Sequence, residues 1–179
     1  KNTLFIISEH FSVFVKYLRM VYFLKIMNRF LVSKSEALTA VSDYLLNAMK
    51  QSGIQHQKMI TIPNAVDMPE SGLIDQKKEN KIIGLIADFD DQNKRISKVI
   101  KAFSEINDEF PGWSLHIIGD GIDQKKILQT LHQYDTENRV RLFGRRDNTF
   151  VHQFMEKIDF LIIYSRFETF GIVGVEALL

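Results

Sequence analysis

Apolar residues in this chain fall into two alternating textures. Short continuous runs occur at Thr3–Ile7, Ala37–Ser42, Lys58–Pro63, Lys81–Ala87, Trp113–Gly119, Val140–Gly144 and Asp159–Ser165. Bounded by polar residues, they predict buried strands. Between them apolar residues recur at helical spacing. Leu45, Leu46 and Met49 share one face of a predicted helix that Ser42 caps and Gly53 ends. Ile96, Val99, Ile100, Phe103 and Ile106 predict a helix from Lys94 to Phe110, stopped by Pro111 and Gly112. Further helices are predicted over Ile122–Tyr134, over Asn148–Lys157 and from Gly171 onward. Residues Asn64–Asn80 are polar, carry Pro69 and Gly72 and have no apolar period, which reads as a linker. The expected organisation is a first domain over 1–63, a linker over 64–80 and a second domain over 81–179. Strand–helix alternation predicts an α/β, Rossmann-like architecture: a parallel sheet with helices on both faces.

Ligands of such sheets bind at the carboxyl ends of the strands. That directs attention to four loops: Ala87–Lys94, Gly119–Ile122, Gly144–Asn148 and Ser165–Gly171. In the second, Gly119-Asp120-Gly121 follows a strand and opens a helix, and its glycines allow close backbone approach to a ligand. In the first, Lys94 and Arg95 stand where a cation meets a phosphate, although the same residues also read as a solvated helix cap. The fourth places Glu168, Thr169 and Phe170 before Gly171, with Glu176 further along the helix. The N–H groups of a helix beginning near Gly171 would face an anion. A sugar diphosphate suits that layout, with one carboxylate on sugar hydroxyls and the other on the ribose diol.

Charge narrows the partners. The 179 residues carry a formal net charge of +1, so no global field favours nucleic acid. There is no cysteine, which excludes disulfides and thiolate metal sites. The first residues lack the order of a signal peptide, and a cytoplasmic protein is expected. Residues 11–34 hold Lys16, Arg19, Lys25, Arg29 and Lys34 among large apolar residues and no acid. They read as domain helices with a buried face, or as an amphipathic basic surface on the inner face of a membrane. His56, His116, His132 and His152 show no metal-ligand spacing and read as structural; Trp113 reads as core. Asp88-Phe89-Asp90 forms a D-x-D triplet after a strand, which would hold a divalent cation in a metal-dependent transferase or belong to a solvated loop.

The run "ETFGIVGVEALL" resembles the E-x7-E motif of the retaining GT-B glycosyltransferases of the group 1 type, family 4. "LTAVSDYLLNAM", "ITIPNAVD", "LHIIGDGIDQKKIL" and "VRLFG" follow in the order of that family. The resemblance implies the end of an N-terminal, acceptor-side domain and a nucleotide-sugar-binding C-terminal domain. It implies transfer of a sugar, with retention, from a nucleotide-diphosphate sugar to a polysaccharide, lipopolysaccharide or glycolipid acceptor, and no metal. Lys94 matches the diphosphate-binding lysine, and His10 in "ISEHFS" matches the acceptor-side histidine. Glu168 and His10 are the catalytic candidates. Lys94, Arg95, Gly119, Asp120, Gly121, Arg145, Thr169, Phe170, Gly171, Ile172 and Glu176 are the nucleotide-sugar candidates.

Three departures from the family pattern stand out. Asp88 occupies about the position of a family arginine and would repel a diphosphate, with Arg95, Arg145 or Arg146 as substitutes. The chain begins inside the N-terminal domain and ends at the E-x7-E helix, so alone it is expected to bind nucleotide weakly, transfer little and expose apolar faces. The alternatives are a non-catalytic nucleotide-sugar or partner module and the D-x-D, GT-A-like transferase.

Overall fold

The computed structural model describes residues 6–10, 32–66, 81–106, 108–134 and 139–178. The chain divides into two units, one of residues 1–66 with 167–172 and the other of 67–166 with 173–179. Most of the basic stretch 11–34 and most of the linker 64–80 lie outside the described residues. Among the described residues no helix is long and apolar enough to cross a membrane.

The first unit holds a parallel sheet in the order β1-β2-β3, formed by Ile6–Glu9, Ala37–Ala40 and Met59–Thr61. The middle strand is buried along its whole length, which is why Ala37–Ala40 carries no alternation. Helix α1, Asp43–Gln51, begins where Ser42 accepts a hydrogen bond from the Leu45 N–H at 3.2 Å. Leu45, Leu46 and Met49 then pack with Leu38, Ala40 and Val41 in the core of this unit. The predicted cap and helix face are both present.

The second unit holds a four-stranded parallel sheet in the order β6-β5-β4-β7. Its strands are β4 Lys81–Ile86, β5 Trp113–Ile118, β6 Val140–Leu142 and β7 Phe160–Leu161. Successive side chains alternate between two cores. On one face Leu85, Leu115 and Ile117 meet Ile96, Val99, Ile100 and Phe103 of helix α3, Ile96–Ile106, and Ile127 of helix α4, Gln124–Tyr134. On the other, Ile82 and Ile118 meet Phe154 of helix α5, Asn148–Met155, and Ile158 beyond its end. Full burial of each such side chain contributes about 1.5–3 kcal/mol. Gly84 allows the second core to close, since a Cβ there would lie 2.8 Å from Ile158 Cδ1. Helices on both faces of a parallel sheet make this the Rossmann-like α/β fold expected.

The differences from the predicted elements are local. The helix expected over Lys94–Phe110 runs over Ile96–Ile106 as α3, and a separate piece, α2, Asp91–Lys94, precedes it, with Arg95 between them in a left-handed conformation (φ 55°, ψ 35°). The last strand pairs over Phe160–Leu161, the Ile162 N–H still donating to the Gly84 carbonyl at 2.8 Å, and further on the Arg166 N–H donates to the Asn93 carbonyl at 2.8 Å. Trp113 is partly rather than fully buried, its ring 5.4 Å from that of Phe160.

His116 lies on β5 among Phe143 and Phe154, with ring centroids 5.3 and 6.3 Å away. Burial, and secondarily the charge of Arg141, holds its pKa below the ordinary 6.5. The unfolded chain therefore binds a proton that the folded one resists, so the stability from neutral His116 is full above about pH 6.5 and falls below it. We expect the melting temperature to drop between pH 7.5 and 5.5, and His116→Leu to lessen that drop in thermal denaturation. An unchanged pH dependence in the variant would assign the effect elsewhere.

Candidate functional site

At the carboxyl end of the second sheet, the loops after β4 and β5 are bound to each other before any ligand arrives. Phe89 turns inward and is 1% exposed. Its N–H donates to the Asp120 carbonyl at 2.7 Å, and its carbonyl accepts from the Asp123 N–H at 2.9 Å. A Cβ on Gly119 would stand 1.9 Å from the Ala87 carbonyl oxygen, and one on Gly121 would stand 2.8 Å from the Phe89 nitrogen. The glycines of Gly119-Asp120-Gly121 thus serve a close approach to the neighbouring loop's backbone, where the sequence suggested approach to a ligand.

The same region contains a buried carboxylate. Asp90 caps α2, its side chain accepting from the Asn93 N–H at 3.3 Å. Asp91 behind it has a side chain 5% exposed, which receives Lys126 Nζ at 2.6 Å and the Ser97 N–H at 2.7 Å. The Asp91 N–H in turn donates to Asp123 Oδ2 at 2.8 Å. Burial works to raise the Asp91 carboxyl, but the hydrogen bonds from Lys126 and Ser97, with the Lys126 charge, outweigh it and hold the pKa below 3.8. Bonding to Asp91 raises Lys126 in turn. Four residues of helix could not hold themselves in water. These bonds tie α2 to the starts of α3 and α4 instead.

Lys94 is the last residue of α2 and Arg95 is its cap. A side chain in the left-handed region costs about 1 kcal/mol relative to the right-handed one. Arg95 is the non-glycine residue with positive φ among the described residues, and its guanidinium lies over the Tyr164 ring, 5.2 Å from the centroid. Arg145, after β6, points its guanidinium at Asp120 (3.4 Å) and Asp88 (3.8 Å). These side chains are largely solvated, so each pair contributes only ~0–1 kcal/mol. Asp88, expected to repel an anion, is therefore faced by an arginine from another loop.

The remaining predicted residues divide between the units. His10 follows β1 in the first unit, its Nε2 3.0 Å from Ser8 Oγ, and its carbonyl accepts from Thr169 Oγ1 at 3.2 Å. Glu168, Gly171 and Ile172 also belong to the first unit, and Phe170 packs against its core. Gly171 has φ +72°, a conformation that favours glycine. Glu176 ends helix α6, Ile172–Glu176, in the second unit with Lys94, Arg95, Asp120 and Arg145. Sequence reasoning missed Asp91, Asp123, Lys126 and Tyr164. The acids looked like a solvated loop, and only the position of Tyr164 at a strand's carboxyl end marked it. Among the described residues no group of His, Asp and Glu is arranged to hold a metal ion.

A family model described as "Glycosyl transferases group 1" matches residues 73–179. The chain belongs to the group 1 glycosyltransferases. Over 159 residues, 84% of this chain, it is 30% identical to the N-acetyl-alpha-D-glucosaminyl L-malate synthase of Bacillus anthracis, covering 41% of that protein. The lipopolysaccharide 1,6-galactosyltransferase of Escherichia coli K12 is 26% identical over 78% of the chain, which covers 39% of that protein. The chain thus spans about two fifths of the length of these relatives. Among solved structures, a Staphylococcus aureus TarM mutant in complex with Fondaparinux, alpha-GlcNAc-glycerol and UDP superposes with a TM-score of 0.82 at 19% identity. The match covers 99% of this chain and 35% of that one. Anabaena HepE in complex with UDP and glucose gives 0.77 at 20% identity, over 98% of this chain and 50% of that one. These neighbours place the glycosyltransferase in the GT-B fold class.

Two substitutions test the internal scaffold of the site. Asp91→Ala, which removes the charged acceptor of Lys126 and Ser97, is expected to destabilise the protein by about 2–3 kcal/mol. Gly119→Ala, which drives a methyl into the Ala87 carbonyl, is expected to cost about 3 kcal/mol by overpacking. Urea denaturation measures both, and wild-type midpoints would show that neither contact bears on the fold.

Proposed function

We propose that this glycosyltransferase moves a sugar, with retention at the anomeric carbon, from a nucleotide-diphosphate sugar to a polysaccharide, lipopolysaccharide or glycolipid acceptor in the cytoplasm. The observation that carries the reading is Lys94. It ends a helix pinned by buried Asp91, at the carboxyl end of a parallel sheet in a chain of the group 1 family. A parallel α/β sheet takes its ligands at that edge. The lipopolysaccharide 1,6-galactosyltransferase among the relatives supports a lipopolysaccharide acceptor. The UDP bound in the TarM and HepE structures supports the donor.

In this reading the bond from the anomeric carbon to the diphosphate oxygen breaks, and a bond to an acceptor hydroxyl oxygen forms on the same face. The hydroxyl proton leaves with the diphosphate or to solvent. The Lys94 ammonium stabilises charge on the departing diphosphate, where a positioned cation lowers the barrier most. Arg95 and Arg145 are the candidates for a second positive charge, and the Gly119–Gly121 and Thr169–Ile172 backbones line the donor. Glu176 accepts from the ribose diol, Glu168 from the transferred sugar, and His10 serves the acceptor side. The resemblance of the Glu168–Glu176 run to the E-x7-E motif of a retaining family supports retention. The D-x-D alternative loses support because Asp90 is engaged as a helix cap.

Calorimetry of the intact protein with UDP-, GDP- and other nucleotide sugars tests this. One donor class should bind, and Lys94→Ala should weaken it about 10- to 100-fold, the value of a charge-assisted hydrogen bond. Equal affinity in the variant would remove Lys94 from the site. Transfer should survive EDTA, and the product's anomeric coupling in NMR should match that of the donor. Loss with EDTA and recovery with manganese would favour the D-x-D reading, and an inverted coupling would refute retention.

A further inference from the structure

A diphosphate carries more charge than one ammonium neutralises, and of the second unit's arginines Arg95 and Arg145 are the two candidates raised above; Arg146 lies over the Phe150 ring of α5, 4.9 Å from its centroid. The two candidates differ in what already holds them. Arg145 faces two carboxylates, Asp120 at 3.4 Å and Asp88 at 3.8 Å. Its positive charge is balanced, and an anion reaching it meets both acids. Arg95 has a neutral partner, the Tyr164 ring, at 5.2 Å. Stacking engages only the face of the guanidinium and leaves its edge N–H groups available to donate. Arg95 also follows Lys94 directly, so one short turn would present both cations.

The backbone adds an independent observation. Arg95 stands in the left-handed region (φ 55°), where glycine would sit without strain. A strained residue at the carboxyl end of the sheet is the kind of outlier from which function is inferred. The kink is held from both sides. The Arg95 N–H donates to the Asp91 carbonyl at 3.0 Å, and the Arg95 carbonyl accepts from Lys98 at 3.0 Å and Val99 at 3.2 Å. Tyr164 is held near it because the Arg166 N–H, two residues on, donates to the Asn93 carbonyl at 2.8 Å. Tyr164 is half exposed and packs in no core, so burial does not account for it.

We propose that Arg95 is the second cation of the diphosphate site and that Tyr164 is its positioning residue, the ring fixing the guanidinium's plane with its edge toward the anion. The inference rests on the donor reading above, and adds which arginine serves and what aims it. Arg145 is then committed to Asp88 and Asp120 and orders the loops.

The test measures binding of UDP and of inorganic pyrophosphate to the intact protein and to variants, with melting temperature alongside. Arg95→Gly should weaken both ligands about tenfold or more while leaving the melting temperature within about 2 °C, because relief of the left-handed strain offsets the lost ring contact. Tyr164→Leu should weaken both ligands about three- to tenfold, and Tyr164→Phe, which keeps the ring, should restore wild-type binding. Arg145→Gln should weaken binding less than Arg95→Gly does, and an equal or larger loss would make Arg145 the second cation and overturn this inference. If Lys94→Ala weakens binding but Arg95→Gly and Tyr164→Leu do not, this inference is overturned and the donor site stands. If Arg95→Gly lowers the melting temperature and spares affinity, Arg95 is structural and the inference fails. A protein that binds neither UDP nor pyrophosphate overturns the donor reading as well.

Discussion

Asp91 is the residue on which the arrangement of the second unit turns. A carboxylate with 5% of its side chain exposed is costly to ionise unless it is surrounded by donors. Here an ammonium and a backbone N–H supply them, and the Asp91 N–H is taken by a second carboxylate, Asp123. One acid therefore stops a four-residue helix, starts the next, and joins both to the beginning of α4. Lys126, mostly solvated, loses little by the arrangement, and the benefit lies in order more than in net Coulombic energy.

That order is spent on the direction of a few side chains. Lys94 and Arg95 leave the chain at a kink that no continuous helix would make. Tyr164 and Arg166 bring the end of β7 to the same turn. The site is thus organised by backbone hydrogen bonds among loops, and apolar burial stays behind it, in the two cores on either face of the sheet.

Periodicity recovered nearly every element, because strands and helices here bury one consistent stripe each. Leu45, Leu46 and Met49 on α1 and Ile96, Val99, Ile100 and Phe103 on α3 are all in the cores that their spacing implied. What periodicity could not locate were the interruptions. The break at Arg95 depends on Asp91, 32 residues away from Asp123 in sequence, and no local rule reports a bond of that reach. The bond from Arg166 to Asn93, which brings the chain after β7 to that turn, has a similar reach. Lys94, Arg95, Asp120 and Arg145 were legible as residues of the loops that follow parallel strands, because such loops are few. Phe170, read as a nucleotide-sugar residue, packs against the first unit's core. The acids that organise those loops were not legible, since an aspartate in a polar run reads the same buried or solvated.

The close approach at Gly119 has a consequence for how such sites change. With the Ala87 carbonyl where a Cβ would be, the segments Ala87–Arg95 and Gly119–Asp123 share one surface and cannot drift independently. A substitution that alters the path of either one must be matched in the other, so the pair behaves as a single heritable module. Anyone seeking to graft a different donor preference onto this scaffold would have to exchange both segments together, with Lys126 as the fastening that secures them.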